Sequence, residues 1–221
     1  MDVILHIGAH RTASTSFQTY LRQHNGDLAA MGLGFWGPPR LRNGLMRGVI
    51  PDPMLGRGPI AFARAQGRIA LQLERSKALG LTQLIVSDEN MLGMMRHNIS
   101  AALLYPSAGE RVARFVAAFR GSVRLIHLSI RCQSNYWPSA LSFCIPRGVL
   151  VPKQAKISAL MQQSRDWRDV ITDVAAAAPD AAIFVSTYEQ FGARPQALLS
   201  YLTGEDAPRT SKPIWRNQRP Q

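Results

Sequence analysis

The chain has 221 residues, 46% of them hydrophobic and 18% charged, which is enough apolar material for the core of one large domain. Lys and Arg total 26 against 14 acids, so the net charge is +12 and an anionic ligand or partner is expected. No segment of 18 uncharged apolar residues offers a transmembrane helix, and the two cysteines lack metal-ligand spacing.

The first element is the apolar run Val3-Ile4-Leu5-His6-Ile7, read as a buried strand. It follows Met1-Asp2 with no basic n-region, so no secretory signal is expected and the location is expected to be cytoplasmic. Cys132 and Cys144 fit a reducing compartment as small, partly buried residues. After the strand comes a loop of small and hydroxyl residues, Gly8-Ala9-His10-Arg11-Thr12-Ala13-Ser14-Thr15-Ser16. A helical pattern then places Phe17, Tyr20 and Leu21 on one face. Strand, small-residue loop and helix together grip phosphate: first-turn N–H groups and the helix dipole face the anion, and small residues let the backbone approach it. Thr12, Ser14, Thr15 and Ser16 add hydroxyl donors, and Arg11 adds a fixed positive charge. A Walker A loop is excluded, because Ala13-Ser14-Thr15 stands where Gly-Lys-Ser/Thr is required. The plainer reading, Ser14 and Thr15 as N-caps of a core helix, uses the same residues.

Leu33-Gly34-Phe35-Trp36-Gly37-Pro38-Pro39 reads as a turn out of regular structure. Residues 37–59, rich in Gly, Pro and Arg, read as an irregular lid or insertion over the site. A helix is expected from Ile60, closed by Gly80. Leu84-Ile85-Val86 is the second strand and delivers Ser87-Asp88-Glu89-Asn90 at its carboxyl end. Ser107 and Glu110 form a capping-box pattern before the next helix. The third strand covers residues 123–130, with Arg131 at its end. A helix over residues 134–143 tolerates Pro138 only in its first turn. One long helix is expected from Ile157 through Trp167 to Val174. A fourth strand at 181–186 ends near Tyr188-Glu189. Pro195 opens the last helix, Gly204 ends it, and residues 205–221 form a basic tail.

Alternating strands and helices predict an α/β domain with a mainly parallel sheet. Ligands of such sheets bind beyond the carboxyl ends of the strands, which brings the 8–16 loop, Glu89 and Arg131 to one edge.

The chain resembles the sulfotransferases that use 3′-phosphoadenosine 5′-phosphosulfate (PAPS), in particular their short bacterial members. Arg11-Thr12-Ala13-Ser14-Thr15 stands where the family has Lys-Ser/Thr-Gly-Thr/Ser-Thr/Ser, its 5′-phosphosulfate loop. Arg131 and Ser139, eight residues apart, match the family's 3′-phosphate pair. Ser87-Asp88-Glu89 resembles the segment in which some members carry a Glu base. The resemblance implies a three-layer P-loop-like domain spanning residues 1–221, with PAPS as co-substrate, no metal, and a small-molecule or glycan acceptor. It also implies site roles: Arg11 and Glu89 catalytic, and Arg11, Thr12, Ala13, Ser14, Thr15, Ser16, Arg131 and Ser139 on the nucleotide. Arg209 and Lys212 would fold over the 3′-phosphate; an ordinary solvated tail is the competing reading. Asp88 is the alternative base, and His10 is expected to shape the loop. His6 and His127 are expected to be satisfied core histidines.

Two departures bear on activity. Arg11 keeps the charge of the family's Lys but stays protonated, so it is a poor proton donor to the leaving group. Ala13 replaces a Gly, which strains the loop if that residue needs positive φ. A catalytically weak or silent PAPS-binding protein therefore stands beside the enzyme. An ATP-dependent kinase and a nucleic-acid-binding protein are the more distant rivals; the scattered charge suits a phosphate-rich small ligand as well as DNA or RNA.

Overall fold

In the computed structural model, residues 1–52 and 58–209 are described. Five strands, β1 (Asp2–His6), β2 (Leu33–Trp36), β3 (Gln83–Ser87), β4 (Val123–Ile130) and β5 (Ala182–Thr187), form one sheet in the order β2-β3-β1-β4-β5. Every neighbouring pair is parallel. Parallel strands cannot be joined by tight hairpins, so helices carry the crossovers. These are α1 (Ser14–Gln23), α2 (Asn25–Ala30), α3 (Pro38–Arg40), α4 (Gly58–Ala78), α5 (Met95–Ala101), α6 (Ala108–Ala118), α7 (Gln133–Cys144), α8 (Gln154–Gln162), α9 (Trp167–Ala177), α10 (Tyr188–Phe191) and α11 (Pro195–Thr203). No helix among the described residues is long and apolar enough to cross a membrane.

Strand side chains alternate between faces, and both faces are covered. Val3, Leu5, Leu84, Val86, Ile126 and Leu128 pack with Ile69 of α4, Val112 of α6, Trp137 of α7 and Val170 of α9. On the opposite face Ile4 and Ile85 meet Phe17, Tyr20 and Leu21 of α1, Leu28 of α2 and Leu198 and Leu199 of α11. This is the expected three-layer P-loop-like arrangement, with a wholly parallel sheet among the described residues.

Several local expectations are corrected. Residues 33–36 are an edge strand, paired from Leu33↔Gln83 to Trp36↔Val86, with Leu33 and Trp36 buried. Four residues are too few to show a period, and the Gly-Pro punctuation around them imitates a turn. The single long helix is two, α8 and α9. Asp166 breaks it with a true capping box: its carboxylate accepts from the Arg168 N–H at 2.7 Å, and Asp169 accepts from the Asp166 N–H at 2.8 Å. Apolar spacing ran through the break, so periodicity missed what the cap chemistry marks. Ser107 sits at the N-cap of α6 but its side chain makes no cap bond. Pro138 lies inside α7, beyond the first turn. Its helical partner position, Ser134, is exposed as Pro138 is, so the lost bond falls on the solvent side. Of the two free cysteines, Cys132 is exposed and Cys144 buried, where both were expected to be partly buried.

His6 and His127 stack face to face at 5.0 Å in the sheet. His6 Nδ1 lies 2.6 Å from the Ser87 hydroxyl, and His127 Nε2 lies 2.8 Å from that of Ser186. Burial holds both below the ordinary value, His6 from 6.5 down to about 4, with Glu89 opposing the shift at His6. They are neutral core residues, as expected, but His127 is not fully satisfied: its Nδ1 is buried with no hydrogen-bond partner among the described residues. Because the unfolded chain takes up these protons first, stability is complete above pH 6.5 and is lost as pH falls toward 4. The urea midpoint should drop across that window, with roughly 3 kcal/mol attributable to a shift of this size, and the slope should flatten in His6→Asn. A midpoint independent of pH there would contradict the assignment.

Candidate functional site at the carboxyl edge of the sheet

β1 lies between β3 and β4, so the segments leaving these three strands emerge side by side. Pairing with β4 continues beyond β1: the Ile7 N–H donates to the His127 carbonyl at 3.0 Å and the Ala9 N–H to that of Ser129 at 2.7 Å. The loop is thereby fixed to the strand that delivers Arg131. Gly8 has φ +95°, and a Cβ there would stand 2.9 Å from Glu89 Cβ, so only glycine allows the β3 exit to lie over the loop.

The loop ends in two left-handed residues, Arg11 (φ 64°) and Ala13 (φ 66°). Ala13 therefore adopts the conformation that suits glycine, at a cost of roughly 1–2 kcal/mol. It is the N-cap of α1, and no side chain caps that helix. Ser14 is thus not the side-chain cap of the plainer reading. Instead the Thr12 and Ser14 hydroxyls both donate to the Ala9 carbonyl, at 2.7 and 3.2 Å, which curls the loop upon itself. Ser16 is buried and Thr15 half-buried.

Arg11 and Arg131, 120 residues apart in sequence, meet on one atom. Ser139 Oγ accepts from Arg11 Nε at 3.0 Å and from Arg131 Nη1 at 3.4 Å. Arg131 Nη1 also donates to the Arg11 carbonyl at 3.2 Å. Arg131 Nε is buried with no hydrogen-bond partner among the described residues. Aromatic faces brace both cations: Arg131 lies 4.4 Å over Tyr188 and Arg11 5.0 Å over Phe143. Arg147 sits over the same Phe143 ring at 3.7 Å. Burial, then Arg131 and Arg147, push the Arg11 guanidinium below its ordinary value. Trp167, core as expected, donates its indole N–H to the Arg131 carbonyl at 2.7 Å and fixes the strand end.

The acidic side is equally ordered. Asp88 accepts a two-point fork from Arg42, at 2.9 and 2.7 Å, and caps the short turn Glu89–Met91 through the Asn90 N–H. It is fully committed to structure. Glu89 accepts from Gln18 Nε2 at 3.0 Å and from Arg42 Nη2 at 3.2 Å. Burial works against its charge, but its own backbone N–H, Gln18 and Arg42 favour it, and the carboxyl lies below the ordinary value. Arg42 belongs to a wide turn, Leu41–Leu45, and reaches both carboxylates from there.

His10 anchors a buried network that the sequence did not reveal. Tyr105 Oη accepts from the His10 backbone N–H at 3.0 Å and lies 2.9 Å from His10 Nδ1. Tyr136 Oη donates to Tyr105 Oη at 3.2 Å and accepts from Asn98 Nδ2 at 3.2 Å. His10 Nε2 lies 3.1 Å from Asn90 Oδ1. Burial lowers His10 and raises Tyr105 well above its ordinary value. The consistent assignment is a neutral imidazole that donates from Nε2 and accepts the Tyr105 proton at Nδ1.

Arg209 is exposed and follows Pro208, whose carbonyl accepts from Tyr20 Oη at 2.6 Å. Lys212 lies outside the described residues. No group of three or more His, Cys, Asp or Glu suited to a metal occurs among the described residues.

Removing the Tyr105 hydroxyl would strand three buried polar groups at once. Tyr105→Phe should cost about 1–3 kcal/mol in a urea titration, the penalty for unpaired buried donors and acceptors; an unchanged midpoint would contradict the network.

No protein-family model matches the chain, and no curated protein matches it. Among solved structures the chain is similar to a sulfotransferase from Alicyclobacillus acidocaldarius. The identity is 15% and the TM-score 0.53, over 96% of this chain and 85% of that one. Likeness at this identity is a likeness of fold: the chain is built on the same α/β framework as a bacterial sulfotransferase.

Proposed function

We propose that this protein binds PAPS and transfers its sulfuryl group to a hydroxyl or amine acceptor. The observation that carries the reading is the meeting of Arg11 and Arg131 on Ser139 Oγ, with Arg131 Nε buried and unpartnered. Two like charges drawn together at a phosphate-type loop are stabilised by an anion between them. The residues present suit a nucleotide with phosphates at both ends of its ribose. Arg131 and Ser139 would hold the 3′-phosphate through charge-assisted bonds. Arg11 and the segment Thr12, Ala13, Ser14, Thr15 and Ser16, at the N-terminus of α1, would hold the 5′-phosphosulfate. Arg209 and Lys212 would add charge on the ribose side.

PAPS supplies an activated sulfuryl group. In the transfer the acceptor oxygen or nitrogen bonds to sulfur while the bond from sulfur to the 5′-phosphate oxygen breaks, leaving its electron pair on that oxygen. Arg11 would offset the charge that develops there. Glu89 would take the acceptor proton; its lowered pKa keeps it ionised and ready at neutral pH, at the expense of basicity. Arg42 would have to loosen from Glu89 for the carboxylate to act. We place the enzyme in the cytoplasm and expect a small-molecule or glycan acceptor and no metal.

A second reading, a silent PAPS- or PAP-binding protein, draws support from the loop itself. Arg11 cannot readily give up a proton, and Ala13 stands at φ 66° where glycine is at ease.

Calorimetry with PAP (the nucleotide without its sulfuryl group), AMP and ATP tests the ligand. PAP should bind more tightly than AMP by about tenfold or more, the value of one or two charge-assisted bonds, and Arg131→Ala should erase the difference. Equal binding of PAP and AMP would overturn the reading. Radiolabelled sulfate appearing on an acceptor separates the enzyme from the silent binder, which holds PAP and transfers nothing.

A further inference from the structure

Beside the turn Glu89–Met91, and separate from the Arg11–Arg131–Ser139 cluster, lies a cavity of about 600 Å³; Asp88 and Asn90 line it, and Glu89, between them in sequence, is outside its lining. Met46, Met91 and Phe115 give it an apolar wall. Its charged lining is Arg42, Arg47 and Arg111 against a single acid, Asp88. Among the lining residues the cations outnumber the acids; Glu89 and Glu110 stand nearby but outside the lining. Asp88 is occupied by the two-point fork from Arg42, whose remaining contact is with Glu89. No ion pair among the described residues includes Arg47 or Arg111.

Arg111 is held in place by backbone oxygens rather than by an acid. Its Nη2 donates to the Asn90 carbonyl at 2.6 Å and its Nε to that of Met91 at 3.2 Å. Both acceptors sit in the turn that carries Glu89, so the guanidinium is positioned relative to that carboxylate. Burial pushes its pKa down, against Asp88 and Glu110, the acids close enough to favour its charge. A neutral ligand covering these cations would remove water from them and return nothing, whereas an anionic one forms charge-assisted bonds.

We propose that this cavity is the acceptor site and that the acceptor is an acid. It would be a hydroxyl-bearing molecule with an apolar body, its carboxylate held by Arg47 and Arg111 and its hydroxyl turned toward Glu89. The orientation rests on the sulfuryl-transfer reading; the charge of the ligand follows from the cavity alone.

The test uses the full chain carrying ¹³C-labelled methionine methyls, so that Met46 and Met91 report on the cavity even for weak ligands. The protein is titrated with 4-hydroxyphenylacetate and with its uncharged isostere, 4-hydroxyphenylacetamide. The acid should shift both methyls with a midpoint about tenfold or more below that of the amide. Arg47→Gln, an exposed position, should bring the two midpoints together, and Arg111→Met should do so in protein whose other methionine resonances stay native. Equal midpoints for acid and amide, or no shift of either methyl up to the solubility limit, would overturn the proposal. PAP titrated into the same samples separates the two claims. PAP binding with no preference for the acid sinks the acidic acceptor alone, and acid preference without PAP binding sinks the nucleotide reading alone.

Discussion

Two guanidinium groups that share one serine oxygen set the character of this edge of the sheet. Ser139 accepts from Arg11 and Arg131 together, although bringing like charges side by side is unfavourable in any medium and more so away from water. The surroundings hold that arrangement in place. Tyr188 and Phe143 offer ring faces to the two cations, and Trp167 pins the backbone of Arg131. Parallel pairing of β1 with β4, continued through Ile7 and Ala9, keeps the loop and the strand end from drifting apart. These contacts hold both guanidinium groups in fixed positions, which is the preorganisation an anionic ligand needs.

A complementary division of labour holds on the other side of the loop. Two adjacent carboxylates leave β3, and their environments separate them. Asp88 spends its oxygens on Arg42 and on capping the next turn, whereas Glu89 rests across Gly8 with Gln18 and Arg42 as lighter partners. Gln18 also donates to Ser87, so one amide ties the end of β3 to α1. His10 closes the arrangement from beneath through Tyr105, Tyr136 and Asn98, a chain in which each hydroxyl has both its donor and its acceptor role filled. A satisfied network of this kind specifies one geometry and resists local rearrangement.

Much of the fold was legible because strand and helix periods are local properties. The runs at 3–7, 84–86, 123–130 and 181–186 lie within a residue or two of the observed strands, and Pro195 and Gly204 mark α11 as the local rules require. β2 was not legible: four residues between glycines carry no period, and only pairing with β3 makes them a strand. The break between α8 and α9 was present in the sequence as Asp166 and Asp169, but the apolar spacing across it was followed instead. Within the site, Arg11 was named from the loop and Arg131 with Ser139 through the family resemblance, and the three side chains converge. Arg42, Gln18, Tyr105, Tyr136, Phe143 and Arg147 were not, because each enters through a long-range contact that no local pattern encodes. Ala13 is the instructive case: the sequence posed the question of its φ, and only the backbone answers it, at 66°.

The account depends on one nucleotide gripped at two ends by residues that fold places together. A crystal structure of the protein soaked with PAP tests this most directly. The account predicts the 3′-phosphate within hydrogen-bonding distance of Arg131 and Ser139, the 5′-phosphate against Arg11 and the first turn of α1, and Arg11 withdrawn from Ser139. PAP bound with its phosphates elsewhere, for instance on Arg47 and Arg111, would contradict it.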